Sequence, residues 1–553
     1  MPRKKCVENL QTIAMNNIAK NFEKICYGLQ DSQLFALIME DDAYLNFASP
    51  FKELAPVLLD EFFELLCERR TVSRHMLHMV FNENNRIVRL RQGMGEIYYA
   101  IRFLMDRCKV LDVMPMVSKY PQHIAVLDLS YMHQMGPQDL MKLFQPLTTL
   151  IQVNLRGTLT VTEVVSIIAT NCENLAELNL SETAINDKSI QALYRTKQVD
   201  GTLVKHAQKL RRLVLADVSV TPFAVASALQ SLPSLCEVDY SALFQVFSLL
   251  PSYVGYGSFG EAVGLEKFQL NRIASTREFI SHESIEVATQ TCPNIQSITL
   301  LECSGIDNEG LMKFMAFERL THLSITNDDD RTLDFFEGVL PILQARGEQM
   351  QNLILTDFLV VNIDALASAC PNLQNLALSG ITDYHYTSPE ELVKENMSRR
   401  LRRISEDDVQ GNCSSSNVQA AFAGASIGAF VPHEYCFTKL KALEIWSAPG
   451  HPGPSKEVIV ILMKSSQNLE HLLLQGCVHF DDGVFAQIVK LLSHITTNEC
   501  SISTEVFRRL LDSDNNLDMI RIWSCPGIDR EGYEEIRQRI KDDNLEIYLD
   551  WFA

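Results

Sequence analysis

The feature that most constrains this chain is a short apolar pattern, LxxLxL, that returns along most of its length with a helix-like stretch after each copy. It stands as IAVLDLS at 124–130, LIQVNLR at 150–156, LAELNLS at 175–181, LRRLVLA at 210–216 and LCEVDYS at 235–241. It continues as LEKFQLN at 265–271, IQSITLL at 295–301, LTHLSIT at 320–326, MQNLILT at 350–356 and LQNLALS at 373–379. LKALEIW at 440–446, LEHLLLQ at 469–475 and LDMIRIW at 517–523 follow, with LEIYLDW close behind. The period-two alternation marks a short strand with one apolar face, and a single strand-and-helix unit cannot bury that face without its neighbours. A chain of this kind must stack its units.

Copies starting at 295, 320, 350 and 373 show the spacing, which lies in the range of a leucine-rich repeat with one strand and one helix per unit. The expected fold is α/β, with a leucine-rich repeat solenoid (horseshoe) over 119–553. NCENL at 171–175, TCPNI at 291–295 and ACPNL at 369–373 place a Cys and an Asn at a fixed distance before the strand; the resemblance to leucine-rich repeats implies that such positions lie at the turn into the strand, so a metal site is not expected there. The spacing breaks twice. The interval from Leu180 to Leu215 is longer than its neighbours, and a much longer insertion covers about 384–436. That insertion opens with Arg399, Arg400, Arg402 and Arg403, then turns to small polar residues, and reads as a flexible excursion; a modification site near Ser405 is the alternative to a tolerated insertion.

The 69 acidic residues against 49 basic ones give a formal charge of −20, which repels phosphate backbones and anionic lipids, so neither nucleic acid nor membrane is an expected partner. No run approaches the roughly 18 apolar residues needed to cross a bilayer, and MPRKKCVENL lacks a secretory apolar region. The expectation is a cytoplasmic and/or nuclear protein with its 14 scattered cysteines reduced. There is no GxxxxGK or HExxH, and His75 and His78, one helical turn apart, have no clustered ligands beside them. No catalytic residue, cofactor or metal is expected.

Residues 1–118 read as a helical module. In NLQTIAMNNIAKNFEKI, Leu10, Ala14, Ile18 and Phe22 form one apolar stripe, joined by Ile13 and Ile25. PFKELAPVLLDEFFELLCERR at 50–70 is a second helix, with Pro56 suited to its first turn. The stripe over about 9–25 resembles the elongin-binding box of cullin-RING substrate receptors, which has a Leu, a Cys four residues on and an aliphatic residue four further. Leu10, Ala14 and Ile18 stand at those places, Ala14 departing from the usual Cys, and Asn9 offers an N-cap oxygen. Ala55, Pro56, Leu59 and Phe63 within 54–66 resemble the cullin-2 form of the cullin box. Two such motifs ahead of leucine-rich repeats are similar to the zyg-11 class of receptors. The resemblance implies elongin C, elongin B and cullin-2 as partners, contacted through Leu10, Ala14 and Ile18 and through Pro56, Leu59 and Phe63. The alternatives are an F-box-like receptor binding Skp1, or an interaction scaffold without a ligase link. The stripe could also pack on the helix at 56–69, or divide, with Ile13 and Phe22 holding the module while Leu10 and Ile18 face outward.

In each repeat the residue between the two inward leucines, and the one after, are expected on the concave face. These are small and polar in the first half, as at Asp128 and Ser130, Asn154 and Arg156, Asn179 and Ser181. The second half carries two of the three tryptophans, in the pairs Glu444 and Trp446, Arg521 and Trp523. These four residues are the candidate client-binding set, spanning on the order of 10–15 Å at ordinary strand spacing. The competing expectation is that the insertion covers them.

Overall fold

The computed structural model describes residues 10–28, 47–68, 74–80, 86–89, 122–133, 135–197, 203–253, 267–328, 330–385, 437–448, 450–466, 468–485, 492–512 and 516–552. The chain divides into two compact units, largely Val7–Ser275 and Ile295–Ala553.

The first unit opens with α1 (Leu10–Lys20), α2 (Phe22–Tyr27), α3 (Pro56–Glu68) and α4 (Arg74–Val80). Their core is aromatic: Phe22, Phe51, Leu59, Phe62, Phe63 and Leu66 are buried, with the Phe51 ring 5.9 Å from Phe22 and 5.2 Å from Phe62. α2 stops at Gly28, whose left-handed φ of 67° lets its N–H donate to the Lys24 carbonyl at 3.0 Å.

The segment expected to be wholly helical also contains a strand. β1 (Ile87–Arg89) pairs in parallel with β2 (Val126–Asp128), so the ladder begins before the first recognised repeat. The β-branched pair Ile87-Val88 suits a strand, but too little pattern surrounds it to show a repeat. The boundary at 118 lies outside the described residues.

β3 (Gln152–Asn154), β4 (Glu177–Asn179), β7 (Arg212–Val214) and β8 (Glu237–Asp239) extend the same sheet, each paired in parallel with the one before. The longer interval before β7 holds an antiparallel hairpin, β5 (Arg195–Lys197) and β6 (Leu203–Lys205). At the next repeat the expected strand at 265–271 is misplaced: β9 occupies Arg272–Thr276. Asn271 N–H donates to the Cys236 carbonyl at 2.9 Å, as Cys236 N–H does to Arg211 one repeat earlier. That register makes Leu270 and Ile273 the buried pattern residues, with Ser275 at the third apolar place. A serine there hid the motif, and LEKFQL a few residues earlier mimicked it.

In the second unit β10 (Ser297–Leu301), β11 (His322–Thr326), β12 (Asn352–Thr356), β14 (Asn375–Ser379), β16 (Ala442–Trp446), β17 (His471–Gln475), β18 (His494–Asn498), β19 (Met519–Trp523) and β20 (Tyr548–Phe552) form one parallel ladder. Each contributes five paired residues. β18 is a repeat that the LxxLxL search misses, because Thr497 replaces the last leucine; it is buried and its hydroxyl donates to the Arg521 carbonyl at 3.5 Å. β14 pairs directly with β16, so the long insertion leaves and rejoins the ladder without removing a strand. The start expected at 384 is also corrected, since β15 (Asp383–His385) pairs with β13 (Val360–Asn362) and buries Tyr384. Residues 386–436, with the arginine cluster and Ser405, lie outside the described residues.

The turns explain the strict repetition. After many strands one residue adopts left-handed φ, as at Tyr131 (62°), Glu182 (54°), Asp357 (62°) and Ser524 (46°). For a non-glycine this costs roughly 1–2 kcal/mol. The bend is offset by further ladder bonds: Tyr131 N–H donates to Arg156 O at 2.7 Å, Asp357 N–H to Ser379 O at 2.8 Å and Ser524 N–H to Phe552 O at 2.8 Å. Before the strands, Cys172, Cys292 and Cys370 are fully buried, and the Cys172 thiol donates to the Leu147 carbonyl at 3.3 Å. Burial pushes this thiol up to about 11 and that of Cys292 to about 12. Nearby asparagines tie two of these turns to the backbone of the preceding repeat, Asn171 donating to Gln145 O at 3.0 Å and Asn372 to Glu348 O at 2.6 Å. The fold is a leucine-rich repeat.

Candidate protein-docking surfaces

No residue of α1 is buried. Leu10 is 82% exposed, Ile13 and Ala14 are exposed, and Ile18 is half-buried. The helix is held at its flank and at its end: Gln11 Nε2 donates to Glu61 of α3 at 2.7 Å, and Phe22 of α2 is fully buried. Leu10 and Ala14 therefore do not pack into a bundle with α3, and of the two residues expected to anchor the module only Phe22 does so. Asn9 lies outside the described residues.

On α3 the placement is reversed. Pro56 is exposed, but Leu59 and Phe63 are 0% and 3% exposed and belong to the aromatic core. What α3 offers a partner is Pro56 and the neighbouring Val57, which is 67% exposed. His78, half-buried on α4, is not part of any group of three or more ligand-type side chains placed to hold a metal among the described residues.

The small polar residues of the first unit serve their own backbone. Asp128, Asn154 and Asn179 accept from the N–H two residues on, at 3.0, 3.1 and 3.0 Å, which closes the turn after each strand. Ser130 and Ser181, expected on the open face, are instead buried at 5% and 1% exposure, because the bend carries the chain inward one residue after the last leucine. Arg156 is paired with Glu182 at 2.6 Å.

The open face of the second unit is different. Trp446, Gln475, Asn498 and Trp523 are successive register partners, so the two tryptophans share one row, three strand steps or about 14 Å apart. Trp446 is 39% exposed and Trp523 half-buried. Glu444 and Arg521 share the adjacent row, Glu444 exposed and Arg521 half-buried, its Nε sequestered without a hydrogen-bond partner. Two more open positions on these same rows are apolar, Ile354, 41% exposed, and Leu301, 38% exposed; the repeat pattern implies the concave face for both, and a candidate set drawn around the tryptophans leaves them out. A groove of about 360 Å³ crosses the sheet from Thr299 on β10 to Glu444 on β16, with His322, Ser324, Ile354 and Ala377 among its lining residues. Beyond it the His471 and His494 rings stack at 4.4 Å, and burial, reinforced by His471, lowers the His494 pKa.

No family model matches the chain, and no curated protein does. A chain of the yeast Rad7–Elc1 complex is similar at a TM-score of 0.41 and 12% identity, covering 95% of this chain and 96% of that one. An internalin (inlF) from Listeria monocytogenes is similar at a TM-score of 0.34 and 14% identity, covering 74% and 82%. Likeness at this level carries no argument, and the fold assignment rests on the strand register. No helix among the described residues is long and apolar enough to cross a membrane.

Proposed function

We propose that this chain is the substrate-recognition subunit of a cullin-RING ubiquitin ligase, docking elongin C through α1 and holding a client protein on the open face of the second unit. The observation that carries the reading is Leu10, an apolar side chain 82% exposed on a helix anchored by other residues. In an apolar pocket of elongin C, burying such a leucine contributes about 1.5–3 kcal/mol. Ala14, one turn on and exposed, is small enough for close helix approach, and half-buried Ile18 continues the same stripe. Elongin B then comes with elongin C, and cullin-2 reaches Pro56 and Val57 at the start of α3. Under this proposal the chain performs no chemistry itself, takes no cofactor and works in the cytoplasm and/or nucleus.

The test is co-expression of the full chain with elongins B and C, followed by affinity purification. Leu10→Arg with Ala14→Arg should remove elongin C while leaving the unfolding temperature unchanged, because both side chains are exposed. Elongin C retained by this variant, or Skp1 recovered in its place from a mixture of both adaptors, overturns the assignment.

A further inference from the structure

We infer that the segment held on this open face presents an arginine or lysine to Glu444, its aliphatic stem lying over Ala377 towards Ile354 and its cation beside Trp446. This rests on the reading that the face binds a client. Ile354, Ala377 and Glu444 are register partners on successive strands, so they stand in a line across the sheet, about 10 Å from end to end. The middle residue is small, which leaves the β16 end of the groove open between an exposed aliphatic side chain and an exposed carboxylate. An apolar trough closed at one end by a carboxylate matches a long side chain with a cationic head.

The carboxylate is also unanswered. Among the described residues Glu444 has no ion pair or hydrogen bond, whereas Arg156 with Glu182, Arg277 with Glu302 and Lys456 with Asp481 all pair between neighbouring repeats. Its row neighbours are Ala377 and Leu473, and the nearest cation along the row, Arg521, is three strand steps or about 14 Å away. That is beyond the screening length at physiological salt, about 8 Å. Trp446, two residues along the same strand, is on the same side of the sheet and presents a ring to which a cation is attracted. The net charge of −20 disfavours a second copy of this chain as occupant and attracts a basic segment.

A phage library of random short peptides panned on the full chain tests this. Binders should share one position occupied by Arg or Lys. In the best binder, replacing that residue by Gln should weaken binding about ten-fold or more. Glu444→Gln should cause the same loss with the parent peptide and no further loss with the Gln peptide, and Glu444→Arg should regain affinity for a peptide carrying Glu there. Binders lost on Trp446→Ala with Trp523→Ala, but lacking a recurrent basic residue or indifferent to Glu444→Gln, overturn this inference and leave the client reading standing. Binders indifferent to all of these variants, or a library yielding none, overturn both.

Discussion

Residues of similar chemistry have opposite roles in the N-terminal module, and burial separates them. Phe22 is fully buried against Phe51 and Phe62, while Leu10 is exposed. Phe22→Ala should therefore destabilise the first unit by about 3–5 kcal/mol, and Leu10→Ala should leave the denaturation midpoint unchanged, as measured by urea titration. The two lie on one stripe in the sequence, and periodicity alone cannot rank them. Histidines supply a second residue-scale prediction. Burial lowers the pKa of His322, and burial with His471 lowers that of His494, so the folded state favours the neutral rings. Their stabilising contribution is complete above the ordinary imidazole value of 6.5 and is lost as pH falls below it towards the folded-state values. Unfolding temperatures between about pH 7 and pH 5 should fall less in a His322→Gln, His494→Gln variant than in the parent, these being among the groups that shift in this window.

At the scale of elements, the apolar alternation places a strand wherever two branched or leucine side chains survive in the pattern, and fails where a buried hydroxyl replaces one. Ser275 and Thr497 are those cases, and both belong to strands that the motif misplaced or missed. The open face of the second unit was legible only in part, because the repeat pattern implies that Ile354, Trp446 and Trp523 face outward, whereas their exposure and the alignment of Ile354 with Ala377 come only from packing and register. Trp446→Ala with Trp523→Ala should abolish capture of a client or a selected peptide, with the circular dichroism spectrum retained. Loss of the folded spectrum instead would assign the tryptophans to stability.

At the scale of the whole chain, the ladder of the second unit bridges its own interruption. Asn375–Ser379 pairs residue by residue with Ala442–Trp446, although the insertion separates them in sequence. Replacing residues 390–432 by a flexible Gly-Ser linker of about 15 residues should therefore leave cooperative unfolding of this unit within a few degrees of the parent. A broad or early transition in a calorimeter would show that the insertion supports the sheet.

The sequence by itself determined the repeat and the α/β class, because these follow from side-chain periodicity that each unit must satisfy against the next. It also singled out Leu10, Ala14, Trp446 and Glu444. Only the tertiary structure decided that Leu59 and Phe63 are core, that Ser130 and Ser181 turn inward, and that Ile354, Ala377 and Glu444 line up across three strands. Exposure and cross-strand register are properties of packed neighbours, and those neighbours lie one or more repeats away in the chain.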